Sequence, residues 1–257
     1  MTEGPGAVGS PAATQPPPPG GPGWAYFFDL DGTLVELVDP PAVVRVDPAL
    51  RELLEALRRA TGGAVALISG RSLDDLGLLF PGPAFPAAGQ HGLERRGADG
   101  RITRHPPPEG LDAARELLMK TGDSRIEVED KGLSIALHYR LAPQLGGYAG
   151  RLARAAAGAA GPHYVVLPGK RIVEIKPAGR DKGVAVDEFL DEPPFRGRTP
   201  LFVGDDVTDE HGFETVNAAG GVSIKVGAGD TVARWHLRDV RAVRAWLARA
   251  IVAARST

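Results

Sequence analysis

The stretch Trp24 to Leu34, WAYFFDLDGTL, decides the fold. Trp24 to Phe28 places four aromatic residues in five, which suits a buried strand. They run straight into Asp29 and Asp31, spaced i, i+2, and then Gly32 and Thr33. A strand thus carries two carboxylates to its carboxyl end and breaks there into a loop. In an open α/β sheet, the crevice outside the carboxyl ends of the strands is where ligands bind. Neighbouring carboxylates repel unless a cation or a shared proton lies between them, so this pair calls for a positive partner.

Outward from this strand, Val35 to Val46 contains Asp39, Pro40 and Pro41 and is too long for a simple βα loop, which predicts a flap beside the aspartates. Asp47-Pro48 reads as N-cap and first helical residue, and Leu50, Leu53, Leu54 and Leu57 form an amphipathic stripe. Gly62-Gly63 ends that helix. Ala64 to Ile68 is a continuous apolar run, as in a parallel strand buried on both faces, and it stops at Ser69-Gly70-Arg71. A short helix (Ser72 to Phe80) and a strand-like piece (Phe85 to Ala88) follow, ending in Gly89-Gln90-His91-Gly92. Alternating strands and helices predict a parallel α/β sheet.

From Arg101 the pattern changes. A helix (Pro108 to Lys120) precedes Arg125 to Glu129, a tight Asp130-Lys131-Gly132 turn and Leu133 to Arg140, whose alternation predicts a hairpin with one buried face. A second helix (Pro143 to Ala160) precedes a second hairpin, His163 to Leu167 and Arg171 to Lys176 around Pro168-Gly169-Lys170. The parallel pattern then resumes: helix 181–190, strand 200–203, helix 209–217, strand 222–226 and helix 240–251. The expected organisation is a core over 24–100 and 178–257, interrupted by an α+β cap over 101–177.

The first 23 residues repeat Pro and Gly and lack the apolar run of a signal peptide, which predicts a disordered tail. With 257 residues and 43 % hydrophobic content the chain can bury a sizeable core. The net charge of −2 argues against nucleic acid or an anionic membrane surface as partner. The cap carries 12 Lys and Arg against 8 Asp and Glu, a surplus of +4 that leaves −6 for the rest. A basic lid over an acidic floor suits an anionic substrate held against a metal. The absence of cysteine excludes disulfides, thiol nucleophiles and Cys-based metal sites and fits a reducing compartment. No run of eighteen apolar residues occurs, so a cytoplasmic protein without a membrane span is expected.

A second acidic cluster, Leu201 to Glu210 (LFVGDDVTDE), also follows a strand. If both strands belong to one parallel sheet, Asp29, Asp31 and Asp205 converge at one edge. Three oxygen ligands with room for waters and a phosphate fit Mg²⁺, and the loop lacks the spacing of a calcium EF-hand. Ser69 is either an anion-holding hydroxyl or an ordinary N-cap serine. Lys182 opens the helix after the cap, where a cation opposes the macrodipole, so it has either a bound phosphate or only solvent beside it. A phosphate gripped by Ser69, Lys182 and Mg²⁺ lies in line with Asp29. Attack by Asp29 gives an aspartyl-phosphate, and Asp31 is placed to protonate the leaving alkoxide and later to deprotonate water.

DLDGTL, Ser69-Gly70-Arg71, Lys182 and GDDVTDE, in this order and spacing, resemble the haloacid dehalogenase (HAD) superfamily of phosphatases. The resemblance implies a Rossmann-like parallel-sheet core with an inserted α+β cap of the C2 type. It implies Asp29 as nucleophile, Asp31 as general acid/base, and Mg²⁺ held by Asp29, the Asp31 carbonyl and Asp205. Ser69 and Lys182 would hold phosphate, with Thr33, Asp206 and Asp209 in support.

The cap stretches Gly89 to Glu94, Val128 to Gly132 with Ser134 to Arg140 (SIALHYR), and Gly169-Lys170 with Glu174 to Pro177 resemble the trehalose-6-phosphate phosphatase family. By that resemblance Glu129, Lys131, Lys170 and Glu174 hold sugar hydroxyls, and Arg71 and His91 face the substrate. From the residues alone, the Glu and Lys sets read first as surface salt bridges and only second as sugar-binding groups. His91 either lines the cleft or satisfies a loop carbonyl, and His138 and Arg140 are as readily structural. The expected partner is a small sugar phosphate, and the expected state a monomer. The alternatives are a phosphatase for a sucrose- or mannosylglycerate-type sugar phosphate, a phosphomutase, or a non-catalytic sugar-phosphate-binding module.

Overall fold

The computed structural model describes residues 16–37, 44–121 and 123–256. The chain runs β1 (Trp24–Phe28), α1 (Pro48–Ala60), β2 (Val65–Ile68), α2 (Leu73–Leu79), β3 (Ala87–Gly89), β4 (Glu94–Arg96) and β5 (Ile102–Arg104). Next come α3 (Leu111–Thr121), β6 (Glu127–Asp130), β7 (Ile135–His138), α4 (Gly146–Ala160), β8 (Tyr164–Gly169) and β9 (Ile172–Pro177). It closes with α5 (Lys182–Leu190), β10 (Thr199–Gly204), α6 (Glu210–Ala218), β11 (Val222–Val226), β12 (Trp235–Leu237) and α7 (Val240–Arg255).

Among the described residues, eight strands form one sheet in the order β12-β11-β10-β1-β2-β3-β4-β5. The pairings from β12 to β3 are parallel, and β4 and β5 extend the sheet antiparallel. Phe28 pairs with Val203 of β10 on one side and Leu67 of β2 on the other, so the chain leaves all three strands at one edge. This register carries Asp29, Ser69 and Asp205 to a common place.

The period of two along β1 divides the core. Tyr26 and Phe28 pack with Leu50, Leu54 and Leu57 of α1 and with Trp246 of α7, while Phe27 packs with Phe189 of α5, Phe195 and Phe213 of α6. Burying each such side chain contributes about 1.5–3 kcal/mol. The helix α1 begins as its sequence predicts: the Asp47 carboxylate accepts from the Leu50 N–H at 3.0 Å, and Pro48 supplies a fixed φ.

In the cap, α3 and α4 cover one face of a four-stranded antiparallel sheet, order β6-β7-β9-β8. The two expected hairpins are joined through β7 and β9 into one sheet. The expectation of one buried face does not hold for β7. Ile135 and Leu137 pack against the helices, but Ser134 and Ala136 are buried as well, because the cap lies down on the core.

The structure differs from the sequence reading elsewhere too. β4, β5 and β12 are absent from that reading, since three-residue strands such as Glu94-Arg95-Arg96 show no apolar run. Because β5 pairs with β4, the core sheet continues through Arg104 rather than ending at Arg101. Of the tail predicted over 1–23, residues 16–23 lie against the core: the Trp246 indole N–H donates to the Pro18 carbonyl at 3.1 Å, and the Tyr26 hydroxyl to the Pro19 carbonyl at 3.3 Å. Residues 1–15, and 38–43 of the expected flap, lie outside the described residues. No described helix is long and apolar enough to cross a membrane.

Candidate active site

The cleft between sheet edge and cap encloses a cavity of 370 Å³. Asp29, Asp31, Ser69, Lys182 and Asp205 line its floor, and Glu129, Lys131, Lys170 and Glu174 its roof, with Arg71 and His91 between them.

The floor is built on charge pairing. The Lys182 ammonium, 2 % exposed, donates to Asp29 Oδ1 at 2.7 Å and to Asp209 Oδ1 at 2.6 Å. These carboxylates account for a cation in the first turn of α5 and rule out the reading with only solvent beside Lys182. Burial would push the Lys182 amine down, but Asp209 and Asp29 outweigh it and hold the amine above its ordinary value. Burial pushes the Asp29 carboxyl well up, Lys182 opposes this, and Asp209 and Asp205 add to the rise. Asp205 is likewise raised, first by burial.

Asp29, Asp205 and Asp209 each offer a carboxylate oxygen, all within 4.8 Å of one another. Asp31 is outside this cluster: Arg71 Nε and Nη2 grip its two oxygens at 2.6 and 2.7 Å. Arg71, expected to face the substrate, therefore neutralises Asp31. Asp209 stands at the N-cap position of α6, but its side chain makes no capping bond there. Its Oδ2 accepts from the Asp205 and Asp206 N–H groups, both at 2.9 Å, and clamps the loop. Thr33, fully buried, donates to Asp205 Oδ1 at 3.3 Å. The reason for Gly32 is geometric: its φ is +86°, and an added Cβ would meet Asp205 Oδ2 at 2.2 Å.

The N-cap reading of Ser69 does not hold. The N-cap of α2 is Ser72, in a capping box with Asp75, so the Ser69 hydroxyl is left facing the cleft, where it accepts from the Arg71 N–H at 3.1 Å.

The roof follows from sheet register. Glu129, Ala136 and Glu174 stand in one row of the cap sheet, so both carboxylates project from the same face. Lys131 Nζ donates to the Gly70 carbonyl at 3.0 Å and to Glu174 Oε2 at 3.3 Å. His91 Nε2 lies 3.4 Å from Glu174 Oε2, which favours its cleft-lining reading. Burial would raise the Glu174 carboxyl, but Lys131 and His91 hold it well below the usual range. Burial keeps His91 below its ordinary value. His138 pairs with Glu129 at 2.8 Å and holds that carboxyl down. Lys170, on the β8–β9 turn, reaches the Asp205 carboxylate, and its N–H reaches Asp206 Oδ2 at 3.4 Å.

Two buried residues escape the sequence reading. Gln90 joins core to cap, accepting from the Ser134 hydroxyl and donating to the Lys131 carbonyl, both at 3.1 Å. Gln90 and His91 hold left-handed backbone (φ 47° and 56°), a strain typical of functional loops. Lys225 donates to the Asp205 carbonyl at 2.8 Å. Its signal was available, a lysine alternating with apolar residues inside the strand Val222-Ser223-Ile224-Lys225-Val226.

A parallel sheet whose central strand leads into Asp29 and Asp31, with a cap over a buried carboxylate cluster, is the arrangement expected from the resemblance to phosphatases of the HAD superfamily. A phosphatase of that superfamily from Bacteroides thetaiotaomicron aligns with 87 % of this chain and 92 % of its own at TM-score 0.63 and 13 % identity. The C-terminal domain of Candida albicans trehalose-6-phosphate phosphatase aligns with 90 % and 93 % at TM-score 0.78 and 22 % identity, a likeness of fold.

The sequence profile of the trehalose-phosphatase family matches residues 27–242. A probable trehalose-phosphate phosphatase of Sinorhizobium fredii is 46 % identical over 208 residues, 79 % of this chain and 78 % of that protein. The trehalose-6-phosphate phosphatase of Escherichia coli is 43 % identical over 227 residues, 87 % and 85 %. The chain belongs to the trehalose-phosphatase family.

Proposed function

We propose that the protein hydrolyses trehalose 6-phosphate to trehalose and phosphate through an aspartyl-phosphate on Asp29. The observation that carries this reading is the stacking of two chemistries in one cleft. A floor of paired carboxylates and ammonium groups suits phosphoryl transfer, and a roof with Glu129, Lys131 and Glu174 on one face supplies acceptors and donors for sugar hydroxyls.

Lys182 holds Asp29 Oδ1, orients the carboxylate and leaves its second oxygen to attack phosphorus. The bond from phosphorus to the sugar oxygen breaks, and Asp31 protonates the departing alkoxide. Water then attacks the aspartyl-phosphate, Asp31 takes its proton, and phosphate and free Asp29 are released. Since Arg71 grips both Asp31 oxygens, this role requires the pair to open; the substrate phosphate gives Arg71 an alternative anion. Ser69 adds a hydroxyl to the phosphate oxygens.

The donor set fits Mg²⁺: hard oxygens of Asp29 and Asp205, close together and raised by burial, with Asp209 engaged by Lys182 and two N–H groups. Asp29, Asp205 and the Asp31 carbonyl would hold the ion, which when bound offsets charge on the phosphate. Asp206 and Thr33 support the loop. The partner is a small sugar phosphate.

The test is phosphate release from trehalose 6-phosphate with and without Mg²⁺, in the wild type and in Asp29→Asn. The wild type should require Mg²⁺. The variant should lose roughly 10⁴-fold or more in kcat while still binding the sugar phosphate. Residual turnover near wild type would remove Asp29 as nucleophile.

A further inference from the structure

Lys225 does not line the cleft, yet it is buried and directed at its floor. Along β11, Val222, Ile224 and Val226 join the apolar core on one face, which leaves Ser223 and Lys225 on the other. Register sets Lys225 beside Gly204, one residue before Asp205. At 5 % exposure its ammonium donates to the Asp205 carbonyl at 2.8 Å. Its carboxylate neighbour, Glu210 Oε1, stands 3.9 Å away, beyond hydrogen-bonding distance. The other oxygen of Glu210 accepts from the Val232 N–H at 2.8 Å and the Thr231 hydroxyl at 3.2 Å.

A buried ammonium is costly, and an apolar side chain would fill this strand position without that cost. What the amine adds is a second hold on one peptide unit. The Asp206 N–H donates to Asp209 Oδ2 at 2.9 Å, and the Asp205 carbonyl of the same peptide receives Lys225. Lys170 also reaches this carbonyl, at 3.2 Å, but from the cap, so Lys225 is the donor that belongs to the core.

We propose that Lys225 is a positioning residue for divalent-cation binding, fixing the Asp205 peptide so that its carboxylate faces Asp29, and offsetting the charge of the three gathered aspartates. This rests on the reading of Asp29 and Asp205 as ligands. Groups that orient ligands from behind change metal affinity about 10–100-fold when removed.

The experiment is calorimetric titration of the full chain with Mg²⁺, without substrate, for the wild type, Lys225→Met and Lys225→Arg. Lys225→Met should bind Mg²⁺ about 10–100-fold more weakly, and Lys225→Arg, which keeps a charged donor, should recover most of the loss. In turnover, the Mg²⁺ needed for half-maximal rate should rise with Lys225→Met while KM for the sugar phosphate at saturating Mg²⁺ stays unchanged. If Lys225→Met fails to fold, as judged by circular dichroism, Lys225→Gln is titrated instead, with the same expectation. Unchanged Mg²⁺ affinity in the folded variant overturns the proposal. A wild type that binds no Mg²⁺ overturns the ligand reading and the proposal with it.

Discussion

Lys182 satisfies two carboxylates at once, Asp29 at 2.7 Å and Asp209 at 2.6 Å, with almost no solvent near any of the three. Replacing it by methionine would leave two buried like charges facing each other. Losing one partner of a buried ion pair costs about 3–5 kcal/mol, so Lys182→Met should lower the thermal midpoint sharply as well as the rate. A variant as stable as the wild type would contradict this pairing. Glu174 offers a test in pH. Its folded carboxyl lies below the ordinary value because Lys131 and His91 outweigh burial, so as pH falls the unfolded chain takes up the proton first. The stabilisation is complete above about pH 4.3 and is lost as pH falls towards the depressed folded value. Urea unfolding should show Glu174→Gln weaker than wild type by about 1–3 kcal/mol at pH 7. That gap should narrow towards pH 3.5. An equal gap at both pH values would mean that the carboxylate is not depressed.

At the scale of elements, the loop after β1 tolerates only glycine where it passes Asp205. Gly32→Ala imposes a left-handed conformation costing about 1–2 kcal/mol and drives a Cβ to 2.2 Å from Asp205 Oδ2. Phosphate release should fall with it, and a variant with wild-type stability and rate would show that the loop does not approach Asp205. The same loop shows what sequence can convey. The aromatic run of β1, the acidic ends of β1 and β10 and the Asp47 cap of α1 are local patterns, each set by residues a few positions apart. β4 and β5 are not local in that sense. Glu94, Arg95 and Arg96 form a strand because Ala87 to Gly89 offers them an edge, and Glu94 is buried against the Leu73 N–H and Arg104. The Arg71–Asp31 pair and the Lys225 contact likewise join residues 40 and 20 positions apart, which only the folded register brings together.

At the scale of the whole molecule, the contacts that hold the cap on the core include Lys131 on the Gly70 carbonyl, Ser134 on Gln90, His91 beside Glu174, and Lys170 on Asp205. The cap, with its surplus of positive charge, thereby places the Glu129 and Glu174 face over the carboxylate floor. In the proposed mechanism, phosphoryl chemistry belongs to the floor and the choice of sugar to the roof. A glucose 6-phosphate molecule would satisfy the floor but leave part of the roof's buried polar groups without partners, which is how a hydrogen-bonding site rejects a smaller analogue. The most direct measurement is therefore kcat/KM for trehalose 6-phosphate against glucose 6-phosphate, by phosphate release with Mg²⁺ present. The predicted preference is about 100-fold or more for the disaccharide phosphate. A ratio near one would contradict the reading of the cap as a disaccharide-binding roof.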